Sequence, residues 1–413
     1  MDPALRPSDA PALDRAFPPL LPFVRTIHPV TISTPPSPNH GPSLNPHVAA
    51  LPPYNAGMNI ALARKASGRD DIARLASNEN PDGCSPRVLA ALADPALEPW
   101  RYADPACTAL RAALGETFGV DAETIVVGNG SEEMIAAISR AALVPGAGVL
   151  TVVPSFGLHE IEPMAQGASV TKIAMTEDLG FDIDALERAL ADEPAVFFLS
   201  SPWNPVGTGL DRSSLQRLLR ATRQGTLFVL DEAYVEYADE DAPDGLALLR
   251  ESGASFVSLR TFSKAFGLAG LRVGYAICSD TRIARAVSAA KTPFNVNAAA
   301  QTAALAALGD MDWMRESVGR RRIERERVSA ALTALGFRPA PSQTNSVFFD
   351  CGTDSADLAA AMLKQGIVIK AWREMGYERF VRVTIGTEAE NDRFLTVLRS
   401  LQAASSDRET HAG

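Results

Sequence analysis

The chain has 413 residues, of which 46% are hydrophobic and 21% charged; its length predicts two globular domains, and its composition excludes a fibrous or wholly disordered protein. Acidic residues outnumber basic ones 49 to 39, and the formal charge of −10 argues against nucleic-acid binding as the main role. No apolar run is long enough to span a bilayer, and the four cysteines lack the spacing of a disulfide scaffold or zinc site, which favours a reducing, cytoplasmic location.

The N-terminal region is rich in proline, because fourteen of the 29 prolines lie within the first 53 residues. Proline cannot donate the backbone hydrogen bonds of helices and strands. Residues 1–45 are therefore predicted to be an extended or disordered extension. Aspartates interrupt this stretch and no compact apolar centre follows a basic start, so it is not predicted to be a secretory signal.

The segment from residue 85 to 300 alternates between helical and strand-like patterns. Ser85 and Pro86 mark a helix start, and a short strand at 124–128 leads through a glycine-rich turn into a helix. Largely apolar runs follow at 149–153, 195–199, 226–230 and 255–259. Such runs are typical of strands buried on both faces of a parallel sheet, so we predict a large α/β domain with a doubly wound, mostly parallel sheet.

The pattern changes after residue 300. A long charged helix is predicted over about 313–335, followed by short strands at 345–349 and 380–385. These elements indicate a smaller α+β domain over residues 301–402. The polar residues 403–413 are predicted to be a loose tail.

The histidines exclude two common kinds of active site. His28, His40 and His47 lie in or beside the proline-rich stretch and His411 lies near the C-terminus, which leaves His159 within the predicted fold. A Ser-His-Asp hydrolase or a histidine-ligated metal centre needs more than this, so no metal site is predicted. An enzyme of this sequence would depend on lysine, aspartate, tyrosine or a cofactor.

Several reactive side chains follow the apolar runs. Ligands of open α/β sheets bind beyond the carboxyl ends of the strands, so these side chains are the candidates for a site. They are Asn204, Asp231, Tyr234, Thr261, Ser263, Lys264 and Arg272, together with the turn Gly128-Asn-Gly-Ser-Glu before a helix. Each has an ordinary structural explanation alone, because aspartates cap helices and lysines cover surfaces. Their collection at one sheet edge indicates a ligand site.

This mixture of groups meets the needs of pyridoxal 5′-phosphate. Its aldehyde requires a lysine amine to form a Schiff base, and its pyridinium nitrogen requires a carboxylate. Its phosphate requires helix-start amides and an arginine. We therefore predict pyridoxal 5′-phosphate as the cofactor.

Six motifs that occur in order along the chain support this prediction. They are Leu75-Ala-Ser-Asn-Glu-Asn-Pro, Arg101-Tyr-Ala-Asp, Asn204-Pro-Val-Gly, Asp231-Glu-Ala-Tyr, Thr261-Phe-Ser-Lys-Ala-Phe-Gly-Leu-Ala-Gly-Leu-Arg and Arg382-Val-Thr-Ile-Gly-Thr. From about Tyr54 to Thr387 the chain resembles the class I/II aminotransferases of fold-type I, specifically the histidinol-phosphate aminotransferase branch. The resemblance implies an N-terminal arm over residues 46–84, a large cofactor-binding domain over 85–300 and a homodimer.

The resemblance also implies roles for the candidate residues. Lys264 would form the Schiff base and then move a proton between the substrate Cα and the cofactor. Asp231 would keep the pyridine nitrogen protonated, and Tyr234 and Asn204 would bond the ring hydroxyl. Further cofactor contacts would come from Ser131, Glu132, Phe156, Thr261, Ser263 and Arg272, and from Tyr102 reaching into the neighbouring subunit's site.

The substrate-binding residues implied by the resemblance are Arg382, Lys370, Arg373 and Asn345. Arg382 would hold a carboxylate, and Lys370 stands where relatives often have an arginine near the substrate phosphate. Arg373 could add charge there. Asp82 replaces a tyrosine that commonly approaches the substrate, and its charge is expected to repel a phosphate.

The resemblance leaves the reaction open among three enzymes. The leading hypothesis is transfer of an amino group from histidinol phosphate to 2-oxoglutarate. The alternatives are an aminotransferase for aromatic or other amino acids and a decarboxylase on the same fold, because the fold does not choose between them. A regulator that senses the cofactor would need a DNA-binding domain, which the proline-rich stretch cannot form.

Overall fold

A computed structural model of the chain describes residues 44–52 and 57–412. The predicted extension lies almost wholly outside these residues. From Asn45 onward the chain forms one compact unit. Among the described residues, no helix combines the length and the apolar character that crossing a membrane requires.

The strands form two sheets. In chain order they are β1 (Ala73–Leu75), β2 (Ile125–Gly128), β3 (Gly148–Val153), β4 (Ser169–Ala174), β5 (Val196–Ser200), β6 (Leu227–Asp231), β7 (Phe256–Thr261), β8 (Gly274–Cys278), β9 (Ser346–Asp350), β10 (Ile367–Ala371) and β11 (Phe380–Thr384). The large sheet has the order β2-β8-β7-β6-β5-β3-β4, and the second sheet has the order β1-β10-β11-β9.

Helices cover both sheets and connect their strands. They are α1 (Pro46–Ala49), α2 (Ile60–Ser67), α3 (Pro86–Leu92), α4 (Thr108–Phe118), α5 (Ser131–Ala142), α6 (Leu158–Ala165), α7 (Ile183–Leu190), α8 (Arg212–Ala221), α9 (Gly245–Ser252), α10 (Thr281–Ala290), α11 (Ala298–Leu308), α12 (Met311–Ala334), α13 (Ser355–Lys364) and α14 (Glu388–Ala412). Side-chain caps begin many of them: the Ser85 hydroxyl accepts hydrogen bonds from the first turn of α3.

The large sheet confirms the predicted α/β architecture. Strands β3 to β7 pair in parallel, and all five residues of β5 are buried, as a strand covered on both faces must be. Strand β8 runs antiparallel to β7 and β2, so the sheet is mixed. The sequence analysis did not identify β4, whose exposed and half-buried side chains are those of an edge strand, or β8.

The second sheet draws on distant parts of the chain. Strand β1 lies within the predicted N-terminal arm and pairs in parallel with β10, almost three hundred residues later. The long charged helix predicted near 313–335 is α12. Both sheets belong to one compact unit, so the predicted boundary at residue 300 stays a prediction.

The segment predicted to be a loose tail has a helical backbone as far as its last described residue. Helix α14 continues to Ala412, so residues 403–412 are helical. Once a helix has formed, each further residue adds a backbone hydrogen bond at little cost, and a polar composition does not end it.

Candidate active site

A cavity of about 490 Å³ lies where the carboxyl ends of β3, β5, β6 and β7 face β10 and β11. This is the edge of the large sheet at which ligands of α/β proteins bind, and the volume suits a small-molecule site. The predicted residues that line it are Ser131, Glu132, Phe156, Asn204, Asp231, Tyr234, Thr261, Ser263, Lys264, Arg272, Lys370, Arg373 and Arg382. The fold therefore brings together groups from both sheets.

The Lys264 amine is positioned by the segment that follows β1. Its Nζ donates to the carbonyl oxygen of Ser77 at 3.2 Å and lies 5.8 Å from the centre of the Tyr234 ring. The Tyr234 hydroxyl accepts a hydrogen bond from Asn78 Nδ2 at 3.0 Å. The Thr384 hydroxyl fixes Asn78 in turn. It accepts a hydrogen bond from the Asn78 backbone N–H and donates one to Asn78 Oδ1, both at 2.9 Å. Residues of the second sheet and of the segment after β1 thus position Lys264 and Tyr234, which lie at the end of the large sheet.

Asp231 ends strand β6 and is buried against a histidine that the sequence analysis did not assign. Its Oδ1 accepts the Ala233 amide at 3.1 Å, and its Oδ2 lies 3.3 Å from His159 Nε2. The His159 ring is fully buried, stacks on Phe198 at 5.3 Å and meets the edge of Phe156 at 5.7 Å. With its proton on Nε2, His159 donates to the carboxylate and stabilises its charge. The one available signal was its position three residues after Phe156.

One end of the cavity has the chemistry of a phosphate site. It combines the first residues of α5, Ser131 and Glu132, with the Thr261 and Ser263 hydroxyls, which lie 3.0 Å apart, and with Arg272. The exposed N–H groups of a helix start attract an anion, and an arginine adds charge.

Close backbone approach shapes this same end. A Cβ atom at Gly130 would lie 2.5 Å from Arg272 Nη2, and one at Gly274 would lie 2.4 Å from the Ser131 amide nitrogen. Arg272 itself adopts a left-handed backbone conformation, with φ of 59°. Glycine is favoured at position 130 by its φ of 81° and required at position 274 by the contact with backbone, and the resulting cradle fits the phosphate of the predicted cofactor.

Two cations face each other at the other end of the cavity. Lys370 on β10 and Arg382 on β11 are directly opposed in the antiparallel register. Arg382 donates from Nη1 to Asn204 Oδ1 at 2.5 Å and from Nη2 to the Ala76 carbonyl oxygen at 2.6 Å. Burial, and then the charge of Arg382, lower the pKa of Lys370 to about 8. Like charges opposed across a sheet repel each other, so an anion bound between them would be stabilising.

Two predicted site residues lie elsewhere. Asn345 is buried but outside the cavity lining, where its Nδ2 donates to the Asn78 carbonyl oxygen at 3.0 Å. Tyr102 is 85% exposed and packs on Phe294, with ring centres 4.6 Å apart. In this single chain, neither side chain lines the cavity.

The expectation for Asp82 is wrong in its geometry. Its carboxylate accepts hydrogen bonds from Ser317 at 2.8 Å and Arg320 at 3.0 Å, both on α12, and it does not line the cavity. Compensated by the arginine, it cannot act as a free negative charge against a bound phosphate. Arg373 does line the cavity and pairs with Asp354 at 2.5 Å, so its charge is partly engaged.

Known proteins are similar to this chain in sequence and in fold. The family model for aminotransferase class I and II matches residues 70–398. Histidinol-phosphate aminotransferase 3 of Rhizobium meliloti is 41% identical over 86% of this chain and 96% of its own length, and histidinol-phosphate aminotransferase 1 of Mesorhizobium japonicum is 42% identical over 84% and 95%. The crystal structure of histidinol-phosphate aminotransferase from Sinorhizobium meliloti in complex with pyridoxal-5′-phosphate superposes with a TM-score of 0.80 at 29% identity, covering 88% of this chain and all of that one.

Proposed function

We propose that this chain, which belongs to the class I and II aminotransferase family and uses pyridoxal 5′-phosphate, transfers the amino group of histidinol phosphate to 2-oxoglutarate. The observation that carries the choice of donor is the opposed pair Lys370 and Arg382, which faces the same cavity as Lys264. Two cations suit a phosphate, and the relatives named histidinol-phosphate aminotransferase support the same donor.

The residues of the cavity fit the cofactor. When bound, pyridoxal 5′-phosphate supplies an aldehyde for the amino group and an electron-withdrawing ring that eases loss of a proton from the donor Cα. The cradle around Arg272 would hold its phosphate. Phe156 would stack on its ring, and the Asp231 carboxylate would hold a proton at the ring nitrogen, with His159 supporting the carboxylate.

Lys264 would move the proton. Its amine lines the cavity, where it would take the proton from the donor Cα and deliver it to the cofactor carbon C4′. The Tyr234 hydroxyl and the Asn204 amide would form hydrogen bonds with the hydroxyl group on the cofactor ring. Arg382 would bind the phosphate of the donor in one half of the cycle and the carboxylate of 2-oxoglutarate in the other.

The pH dependence of kcat/KM tests the donor. Because the pKa of Lys370 is lowered to about 8, we expect kcat/KM for histidinol phosphate to fall as the pH rises through about 8, where Lys370 loses its charge. The donor phosphate, with a second pKa of about 6, stays dianionic over this range. Lys370→Arg should abolish this part of the fall, since arginine remains charged.

Substitution of the same residue separates the candidate donors. Lys370→Ala should lower kcat/KM for histidinol phosphate by about 10- to 100-fold and affect phenylalanine little, because the phosphate alone loses a charge-assisted bond. Equal losses for both donors, or no turnover of histidinol phosphate by the parent enzyme, would support the aromatic alternative. Release of carbon dioxide from a phosphorylated amino acid would support the decarboxylase.

We propose that the active enzyme is a homodimer in which Tyr102 completes the neighbouring site. Trp100, Tyr102 and Phe294 are large aromatic residues that are exposed in the single chain, as at a surface that a second copy covers. The resemblance of Arg101-Tyr-Ala-Asp to the family motif supports a contact between Tyr102 and the cofactor phosphate of the partner subunit.

Mixing two defective variants tests this arrangement. Tyr102→Ala should bind the cofactor about tenfold more weakly, and Lys264→Ala should be inactive. After the two are unfolded and refolded together, mixed dimers contain one intact site, so activity at low cofactor should recover to about a quarter of the wild-type value. Failure to recover, with mixed dimers verified by native mass spectrometry, would place Tyr102 outside the partner's site.

A cytoplasmic location is part of the same proposal. All four cysteines are free thiols, and Cys107, Cys278 and Cys351 are buried. Proteins of oxidising compartments commonly pair such residues, so unpaired thiols support a reducing compartment.

A further inference from the structure

The loop between β10 and β11 reaches across to the large sheet. Glu374 Oε2 accepts a hydrogen bond from the backbone amide of Ser155 at 2.8 Å, and the Tyr377 hydroxyl donates to the Val153 carbonyl oxygen at 3.3 Å. Val153 ends strand β3, and Ser155 directly precedes Phe156 in the cavity wall. The loop therefore forms two hydrogen bonds with the segment that positions Phe156.

The same carboxylate oxygen also holds the opposite side of the cavity. Glu374 Oε2 accepts a second hydrogen bond from Trp372 Nε1 at 2.7 Å. The Trp372 ring lies 5.9 Å from the guanidinium carbon of Arg382 and meets Phe348 edge-on at 5.9 Å. One oxygen thus links the Phe156 segment to the indole that packs beside Arg382.

The surroundings of Glu374 disfavour a negative charge, so its hydrogen bonds are needed to stabilise the carboxylate. Its carboxyl is partly buried, and burial raises its pKa, as does the nearby Glu160 carboxylate. Glu160 is itself bonded to the Ser155 hydroxyl at 2.9 Å and to Lys172 at 3.0 Å. A buried carboxylate costs energy unless donors satisfy it, and its removal would leave the Ser155 amide and the Trp372 indole without their acceptor.

We propose that Glu374 is a positioning residue. It fixes the separation between Phe156, which would stack on the cofactor ring, and Arg382, which would bind the substrate anion. The proposal rests on the proposed function, which places the cofactor ring at Phe156 and the substrate anion at Arg382. A fixed separation between these two groups keeps the donor Cα aligned with the ring and with Lys264, and misalignment of about 1 Å is costly to the reaction.

Glu374→Ala and Glu374→Gln form the test, with the holoenzyme as the sample. The visible circular dichroism of bound pyridoxal phosphate reports how the ring is held, and it does not depend on the identity of the amino donor. We expect Glu374→Ala to lower this band by at least half. It should also raise KM about tenfold for glutamate, the amino acid that corresponds to 2-oxoglutarate and whose carboxylate Arg382 would bind. Glu374→Gln keeps an acceptor oxygen for both donors and should stay within about twofold of the parent in both measurements.

Two further variants keep the test decisive if Glu374→Ala does not fold. Trp372→Phe keeps an aromatic ring and removes the indole donor, so it should raise KM for glutamate with a smaller change in the band. Tyr377→Phe removes the 3.3 Å contact with Val153 but keeps both hydrogen bonds of Glu374, so it should change both measurements much less than Glu374→Ala does. An unaltered band in folded Glu374→Ala would overturn the proposal, and so would a Glu374→Gln variant as impaired as Glu374→Ala. Loss of histidinol phosphate turnover alone would instead count against the proposed donor.

Discussion

Replacing Lys264 with alanine should lower the rate of transamination by about 10⁴-fold or more, the largest effect expected of a single substitution in this chain. The Lys264 amine lies in the cavity, where it contacts the Ser77 carbonyl oxygen and the Tyr234 ring and where the proposed function places the cofactor and the donor Cα. Alanine removes the covalent attachment and the base together. The cradle around Arg272 is untouched, so the variant should still bind the cofactor.

Borohydride reduction of the parent enzyme provides a direct measurement. The cofactor should be found covalently on Lys264 by peptide mass spectrometry, and the Lys264→Ala variant should carry no label. Lys291 is the matched control: its Nζ bonds Asn295 Oδ1 at 3.0 Å and it does not line the cavity. Label on Lys291, or normal turnover in Lys264→Ala, would contradict the assignment.

Replacing Asp231 with asparagine should slow proton removal from the donor on the order of 10³-fold while the protein stays folded and loaded with cofactor. Asp231 is 5% exposed, so in the proposed site its charge would be little screened by water and would favour a proton on the ring nitrogen. An amide of the same shape lacks that charge. Single-turnover kinetics with a deuterated donor should show a larger isotope effect, because proton removal becomes the slow step.

His159→Phe gives the graded comparison for Asp231→Asn. The phenyl ring can keep the stacking on Phe198 but loses the contact between Nε2 and the carboxylate. We expect a loss of about tenfold, since the Asp231 charge remains and its support is removed. Near-normal proton removal in Asp231→Asn would show that another group protonates the ring nitrogen.

Much of the fold and the central part of the site could be predicted from sequence. The apolar runs predicted as strands correspond to β3, β5, β6 and β7, because a strand buried on both faces needs several successive apolar residues, and this pattern is local. Parallel strands end at one edge of the sheet, so the residues that follow them meet there. Asn204, Asp231 and Lys264 therefore line one cavity, as predicted.

The partners of these residues were decided by tertiary structure. His159 meets Asp231 across 72 positions, and the segment that follows β1 supplies Ala76 and Asn78 to the site, two residues that the sequence analysis quoted within a motif without giving them a role. Neither contact has a local signal, because each depends on how one element is placed on another. A short strand such as β1 is defined by its pairing with β10, and three residues carry too little pattern to reveal it.

Charge at the site shows the same division most clearly. The sequence by itself determined that Lys370, Arg382 and Asp82 are present, and its local pattern predicted the strand that carries Arg382. Only the tertiary structure set Lys370 opposite Arg382 across β10 and β11, and only the tertiary structure turned Asp82 toward Arg320 on α12. The reason is physical: hydrophobic patterning acts over a few neighbouring residues, whereas the effect of a charge depends on the distance to counter-charges that lie far away in the chain.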